Sequence, residues 1–175
     1  MRVKRIVITA IIILAGFLLQ AGVFAQFNWF NVTPNILLMI TCIYGFMRGR
    51  KEGIFIGVLC GLLTDIFIGG TLGVYTLFFA YLGWFNGLFY KLFFMDYIVF
   101  PLIMIIVSDF FYGLYVYVVN FLVNGKMNFL FYLNDIIVPE MIYTFTVSIL
   151  LCHLIIIINL KLEEAEKRSA AKFVQ

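Results

Sequence analysis

Three acidic side chains lie within long apolar stretches of the sequence, and these are Asp65, Asp109 and Glu140. A carboxylate in such surroundings can carry a proton, bind a cation or meet a polar group of a partner helix. An acid at the centre of a membrane helix costs on the order of 3 kcal/mol on insertion scales. No Lys or Arg falls at the same predicted depth. Each acid is therefore expected to be neutral, hydrogen-bonded or paired with a group from another chain.

Asp65 has a structural and a functional explanation. It precedes the glycine-rich turn from Gly69 to Gly73, so its carboxylate can face the first N–H groups of the helix that follows. A cap of this kind needs the shape and the acceptors of the side chain more than its charge. A charge that binds a proton or a cationic ligand is the functional alternative.

Asp109 also has two explanations, and Glu140 is explained by its place at the start of a helix. Asp109 follows Ser108, and Tyr112 and Tyr115 come within the next two turns of the same predicted helix. A protonated acid bonded to those hydroxyls, or a polar contact with a partner helix or a lipid head group, would each explain it. Glu140 follows a proline in the first turn of the last predicted helix. This position favours an interaction of its charge with the positive N-terminal end of that helix, at the outer interface.

A glycine ladder leads to the first of these acids. Gly53, Gly57 and Gly61 are spaced by four residues, so they lie on one helix face and clear a groove for another backbone. Close packing within this subunit is the default interpretation, and a docking groove for a partner's transmembrane helix is the alternative. Together with Asp65 and Gly73, the ladder forms the predicted packing or partner surface.

The composition indicates whether these helices lie in water or in a membrane. The chain is 65% hydrophobic and 12% charged, with 21 Phe residues and a mean hydropathy of +1.10. Soluble domains contain roughly 45–50% apolar residues, so an all-α integral membrane protein is expected. The sequence contains no nucleophile elbow, phosphate loop or metalloprotease helix. These features predict a protein that is not an enzyme, has no cofactor and binds no nucleic acid.

The polar residues divide the chain into six predicted spans within a single transmembrane domain, residues 1–175. The spans cover about 6–24, 32–47, 53–68, 72–90, 97–121 and 136–160, followed by a tail at 161–175. With both termini in the cytoplasm, all of the twelve Lys and Arg residues except Lys126 fall on the inner side, as the positive-inside rule requires. The first apolar run is longer than the 7–15 residues of a signal peptide, so it is expected to stay as an anchor.

Small motifs occur in a recognisable order along the first half of the chain. Pro34, Asn35, Leu37 and Leu38 open the second span, a basic hinge follows at residues 48–52, and then come the ladder and its turn. This order resembles the MreD family of rod shape-determining proteins over roughly residues 32–84. The family usually has an acid after the proline, where this chain has Asn35, so a role for that carboxylate does not carry over.

The resemblance implies a non-enzymatic subunit of the bacterial cell-elongation machinery in the plasma membrane, which supports peptidoglycan synthesis and cell shape. Its implied partners are MreC and, through it, MreB, RodA and a penicillin-binding transpeptidase, together with membrane lipids. The alternative is a substrate-capturing subunit of an energy-coupling-factor vitamin transporter, to which MreD is distantly similar in size and helix number. Those subunits commonly dock through small residues spaced by three on the first helix. In this chain the only such Ala pair, Ala21 and Ala25, lies at the outer end of that helix. A lipid-handling protein is a third possibility.

Overall fold

The computed structural model describes residues 2–24, 26, 32–69, 72–91, 99–124 and 129–172, and the regular secondary structure in these ranges is helical throughout. The α-helices are α1 (Arg2–Leu18), α2 (Ile36–Arg48), α3 (Arg50–Thr64), α4 (Val74–Leu88), α5 (Val99–Asn124), α6 (Phe129–Tyr132) and α7 (Val138–Lys172). Three π-helical segments extend them, at Leu19–Phe24, Asp65–Gly69 and Leu133–Ile137. The all-helical class predicted from composition is thereby confirmed for the described part of the chain.

Two glycines with positive φ set the turns around α3 and α4. Gly49, at φ +85°, ends α2 and begins α3, and its N–H donates to the Gly45 carbonyl. Gly73, at φ +99°, precedes α4. Residues with a Cβ rarely adopt such backbone angles, so the chain can reverse direction in one residue between α2 and α3. The basic hinge predicted at residues 48–52 is this reversal.

The last helix begins earlier than its predicted start at residue 136. α6, the π-helical segment Leu133–Ile137 and α7 form one continuous helical run. Pro139 cannot donate a hydrogen bond, and its ring would collide with the carbonyl four residues before it in a regular α-helix. The wider turn, in which the Val138 N–H bonds to the Leu133 carbonyl, accommodates the proline without breaking the helix.

α2 lies at the centre of the structure. All residues from Ile36 to Met47 are buried, and α1, α3, α4, α5 and α7 all contact this helix. A helix that is apolar on every side is stable only when other elements surround it. The motif that opens the second span therefore stands at the buried end of the central helix.

Three helical runs are long and apolar enough to cross a membrane among the residues that the structure describes: Arg5–Phe24, Val99–Val119 and Phe129–Lys161. α2 is apolar but shorter. The outer surface carries large apolar side chains, including Leu18, Phe67 and Leu150, each more than half exposed. Contiguous apolar surface of this kind needs lipid or protein to cover it. The six spans and the position of the termini stay predictions.

Cysteine labelling checks the predicted topology. In a background without the three native cysteines, single cysteines at Thr71 and Lys126, both outside the described residues, should react with an impermeant thiol reagent added to intact cells. Cysteines at Lys51 and Ser169 should react only after lysis. Lys51 is exposed in the structure, so failure to label it from outside would reflect the membrane and not burial. Labelling of Lys51 in intact cells would contradict the six-span topology.

Candidate functional site

The glycine ladder of α3 lies directly against the backbone of α4. A Cβ atom built on Gly57 would be 2.3 Å from the Phe79 carbonyl oxygen, and one on Gly61 would be 2.5 Å from the Thr76 Cα. Both distances are far shorter than real Cβ contacts, and the obstacle in each case is main chain. The ladder therefore packs within this subunit, and its glycines are not available to a partner helix.

Gly53, the first glycine of the ladder, meets a glycine of α4. A Cβ on Gly53 would lie 2.4 Å from the Gly83 carbonyl oxygen, and a Cβ on Gly83 would lie 2.0 Å from the Gly53 carbonyl oxygen. The central helix joins the same contact, since a Cβ on Gly45 would be 2.8 Å from the Gly83 oxygen. Three helices thus approach one another where none of them has a side chain.

A second stripe of small residues on α4, which sequence reasoning missed, receives the ladder. Its members Thr76, Ala80, Gly83 and Gly87 follow one another at intervals of four, three and four residues, which places them on one helix face. A Cβ on Gly87 would be 2.5 Å from the Arg50 Cα. The spacing is visible in the sequence and could have identified this face as the partner of the ladder.

Asn86, on the buried side of α4, joins three helices and was also missed. Its side-chain amide donates to the Leu82 carbonyl at 3.0 Å, the Ser108 hydroxyl at 3.2 Å and the Cys42 sulfur at 3.4 Å. The side chain is fully buried. An Asn within an apolar helix is the sequence signal for such a contact, because its buried amide needs hydrogen-bond partners on neighbouring helices.

Asp65 caps the start of α4. One carboxylate oxygen accepts hydrogen bonds from the Gly73 N–H at 2.9 Å and the Thr76 N–H at 3.0 Å, and the other accepts from the Tyr75 N–H at 2.9 Å. The Thr76 hydroxyl also donates to this carboxylate. The residue is only 2% exposed. This is the cap that the turn predicts, and Gly73 takes part through its backbone N–H.

The motif at the start of α2 satisfies a buried helix terminus. The Asn35 side chain accepts from the Leu38 N–H at 3.2 Å, and the Asn35 N–H donates to the Thr144 hydroxyl of α7 at 3.2 Å. The Leu37 N–H donates to the Gln20 side chain, from the π-helical end of the first helix, at 3.1 Å. Pro34, just before the cap, is buried as well. Neither Gln20 nor Thr144 was predicted, because nothing local marks them as caps of another helix.

Asp109 lies in the interior, 2% exposed, and its carboxyl oxygens accept no hydrogen bond from the hydroxyls expected to bond it. The Ser108 hydroxyl accepts from the Asn86 amide, and the Tyr115 hydroxyl donates to the Val74 carbonyl at 2.8 Å. Tyr112 packs its ring among the aromatic side chains of α4. The prediction that these three hydroxyls satisfy Asp109 is therefore wrong. The helix of Asp109 turns it towards α7 instead.

Thr144 of α7 is the hydroxyl beside the Asp109 carboxyl. Both carboxyl oxygens nevertheless have no partner at hydrogen-bond distance among the described residues. Glu140 lies one helical turn before Thr144 on α7 and interacts electrostatically with Asp109. We call the buried residues Asn35, Asp109 and Thr144, together with the half-buried Glu140, the buried polar cluster. Glu140 stands in the first turn of α7, but the helical run begins at Phe129, so the free N–H groups expected near this acid are absent there.

Charged residues gather where α2 ends and α3 begins. Arg48 donates to Glu52 at 3.2 Å and to the side chain of Asn159 on α7, and its guanidinium lies 5.0 Å from the centre of the Tyr44 ring. Arg5 of α1 also pairs with Glu52. α1, α2, α3 and α7 are therefore joined by polar contacts at this end, far along α2 from the buried polar cluster.

The contacts of these residues are structural. Asp65, Asn35 and the ladder bind backbone groups of this same chain, and no group of three or more His, Cys, Asp or Glu side chains within the described ranges could hold a metal ion. His153 is exposed on the outer face of α7. What the arrangement supplies is a rigid helical core with capped ends.

Comparison with known proteins identifies the chain. The model of one family, described as rod shape-determining protein MreD, matches residues 1–161. No curated protein and no solved structure matches. The matched range includes the ladder, the Asp65 cap, the α2 motif and the buried polar cluster. Because the match spans more than nine-tenths of the sequence and agrees with the membrane-length helices, the chain belongs to the MreD family of membrane proteins with a role in rod shape determination.

Proposed function

We propose that this chain is a non-enzymatic scaffold subunit of the cell-elongation complex in the bacterial plasma membrane, where it supports peptidoglycan synthesis. The observation that carries the proposal is that the glycine ladder and Asp65 make their contacts within the chain itself. The ladder meets the backbone of α4, and Asp65 caps the same helix. A protein whose polar groups are used to fix its helices is suited to hold partners in place.

The outer surface is the part left for partners. α5 exposes Val107, Phe110, Phe111 and Val118, and α3 exposes Phe55. Large apolar and aromatic side chains pack well against another transmembrane helix. The proposed direct partner is MreC, with MreB, RodA and a penicillin-binding transpeptidase reached through it. The basic residues gathered around Arg48 support the proposal that both termini face the cytoplasm.

Co-purification tests the scaffold role. A tagged chain extracted from membranes in mild detergent should recover MreC, because a scaffold holds its partner through extensive helix contacts. The control is the same tag on an unrelated multi-span protein of the same membrane, analysed by mass spectrometry at equal protein level. Recovery of an ATPase pair with a transmembrane coupling subunit, and no MreC, would replace the scaffold with the vitamin transporter.

A further inference from the structure

An apolar groove runs between α1 and α3. It has a volume of about 360 Å³, and its apolar walls are formed by Ile6, Ala10, Ile13, Phe55 and Leu59. Ile6 is 62% exposed and Phe55 63% exposed, so the groove opens towards the surroundings of the protein. Ile6 to Ile13 covers two turns of helix, or roughly 10 Å along the axis. That length and those side chains suit part of an acyl chain.

A basic pocket adjoins this groove. It has a volume of about 520 Å³ and is lined by Arg48, Arg50, Lys51, Lys91 and Glu52, among others. Three of these residues, Arg48, Lys51 and Glu52, also line the apolar groove. These three side chains border both cavities, so an elongated molecule that lies over them would contact both. A polar end would lie in the basic pocket and an apolar end in the groove.

The charge of this region is strongly positive. Arg5 of the groove wall and the four basic residues of the pocket face a single acid, Glu52, which gives the lining a net charge of +4. Glu52 is engaged by two cations, Arg5 and Arg48. Arg50, Lys51 and Lys91 are exposed on the pocket wall. An anion is the complementary ligand, and a phosphate accepts hydrogen bonds from several Arg and Lys side chains at once.

We propose that the basic pocket and the apolar groove together bind an anionic phospholipid, with its phosphate among Arg48, Lys51 and Lys91 and one acyl chain between α1 and α3. A free phosphate would use only the pocket, and a neutral lipid would gain nothing from the charge. Because the same three side chains border both cavities, the site favours a ligand that has both an anionic head group and an apolar chain. Anionic head groups are attracted to clusters of Lys and Arg beside membrane helices.

Native mass spectrometry of the purified full chain tests the site. Phosphatidylglycerol should bind at least about fivefold more tightly than phosphatidylcholine with the same acyl chains. Lys51→Gln and Lys91→Gln should each weaken phosphatidylglycerol binding about fivefold, since one basic residue near an anionic surface contributes a factor of this order. Lys161→Gln is the matched control, because Lys161 is an exposed cation that lines neither cavity. It should leave binding unchanged.

A second variant examines the acyl-chain part. Ala10→Trp should fill the groove and weaken phosphatidylglycerol binding while leaving the basic residues in place. Equal binding of the two lipids would overturn the proposal in favour of an apolar groove that does not distinguish charge. An equal loss with Lys161→Gln would overturn it in favour of general charge attraction. Displacement of the lipid by millimolar inorganic phosphate, or no loss with Ala10→Trp, would show a free-anion pocket instead. The measurement uses the chain alone, so its outcome is independent of the proposed scaffold role.

Discussion

Replacing Gly57 with leucine should abolish accumulation of the folded protein and leave cells rounded. The Cβ alone would be 2.3 Å from the Phe79 carbonyl oxygen, so the remaining atoms of leucine can enter only if α3 and α4 separate. Separation would also break the neighbouring contact between Gly53 and Gly83. Overpacking a well-packed interior typically costs 1–3 kcal/mol, and a leucine against main chain should reach or exceed about 3 kcal/mol.

Alanine at Gly57 should also be harmful, though less than leucine. The sequence alone predicts that alanine is milder than leucine, because a methyl group is small. The structure keeps this order but makes alanine harmful too, since the atom that collides is the Cβ itself and its neighbour is backbone that cannot rotate away. We expect Gly57→Ala to lower the free energy of unfolding of the detergent-purified protein by about 1–3 kcal/mol. Protein level, melting in detergent and cell shape after depletion of the native protein are the three readouts.

Gly22 provides the matched control for these substitutions. It lies in the π-helical end of the first helix, and a Cβ built there meets nothing within 4 Å. Gly22→Ala and Gly22→Leu should therefore leave level, stability and cell shape close to the unmodified protein. Normal accumulation and rod shape with Gly57→Leu would contradict the close packing of α3 against α4. Equal damage from Gly22→Leu would mean that the effect is not specific to the ladder.

The ladder illustrates how far sequence reasoning reached. Residues four apart must share a helix face, so the face of Gly53, Gly57 and Gly61 followed from spacing alone. Which helix covers that face depends on packing in three dimensions, and the sequence left both this subunit and a partner open. The small residues of α4 at intervals of four, three and four could have decided it, because two stripes of small residues can approach each other closely.

The caps differ in how local they are. Asp65 and the N–H groups that it accepts from are separated by one short turn, so the cap could be predicted from neighbouring residues. Gln20 and Thr144 reach the start of α2 from helices that are distant in sequence. No local rule identifies such partners. The same limit explains Asp109, whose neighbour is a threonine of α7 and not a hydroxyl of its own helix.

Replacing Asp65 with leucine should reduce the protein level severely, and Asp65→Asn should have an intermediate effect. The carboxylate accepts from three backbone N–H groups and from the Thr76 hydroxyl, and it donates nothing. Leucine leaves all four donors without an acceptor. Each buried donor left unsatisfied costs about 1–3 kcal/mol, so the start of α4 should detach from the end of α3.

Asparagine retains part of the cap. Its amide oxygen can replace the oxygen that accepts from Gly73 and Thr76, but the NH₂ group then faces the Tyr75 N–H, and two donors oppose each other. The favourable interaction of a negative charge with the start of α4 is lost as well. We therefore expect a loss of about 1–3 kcal/mol, a reduced protein level and MreC recovery in proportion to that level. The sequence alone predicts near-normal behaviour for this variant.

Asp135 supplies the control, because it is an exposed acid on a π-helical segment like that of Asp65. Asp135→Asn should leave melting temperature, protein level and cell shape unchanged. The decisive comparison is function per molecule for Asp65→Asn. If rod shape and MreC recovery follow the amount of folded protein, the carboxylate acts as a cap for α4. If folded protein is normal and rod shape is lost, the charge itself is required, as it would be in a transporter that binds a proton or a cationic ligand, and the scaffold account of Asp65 would fail.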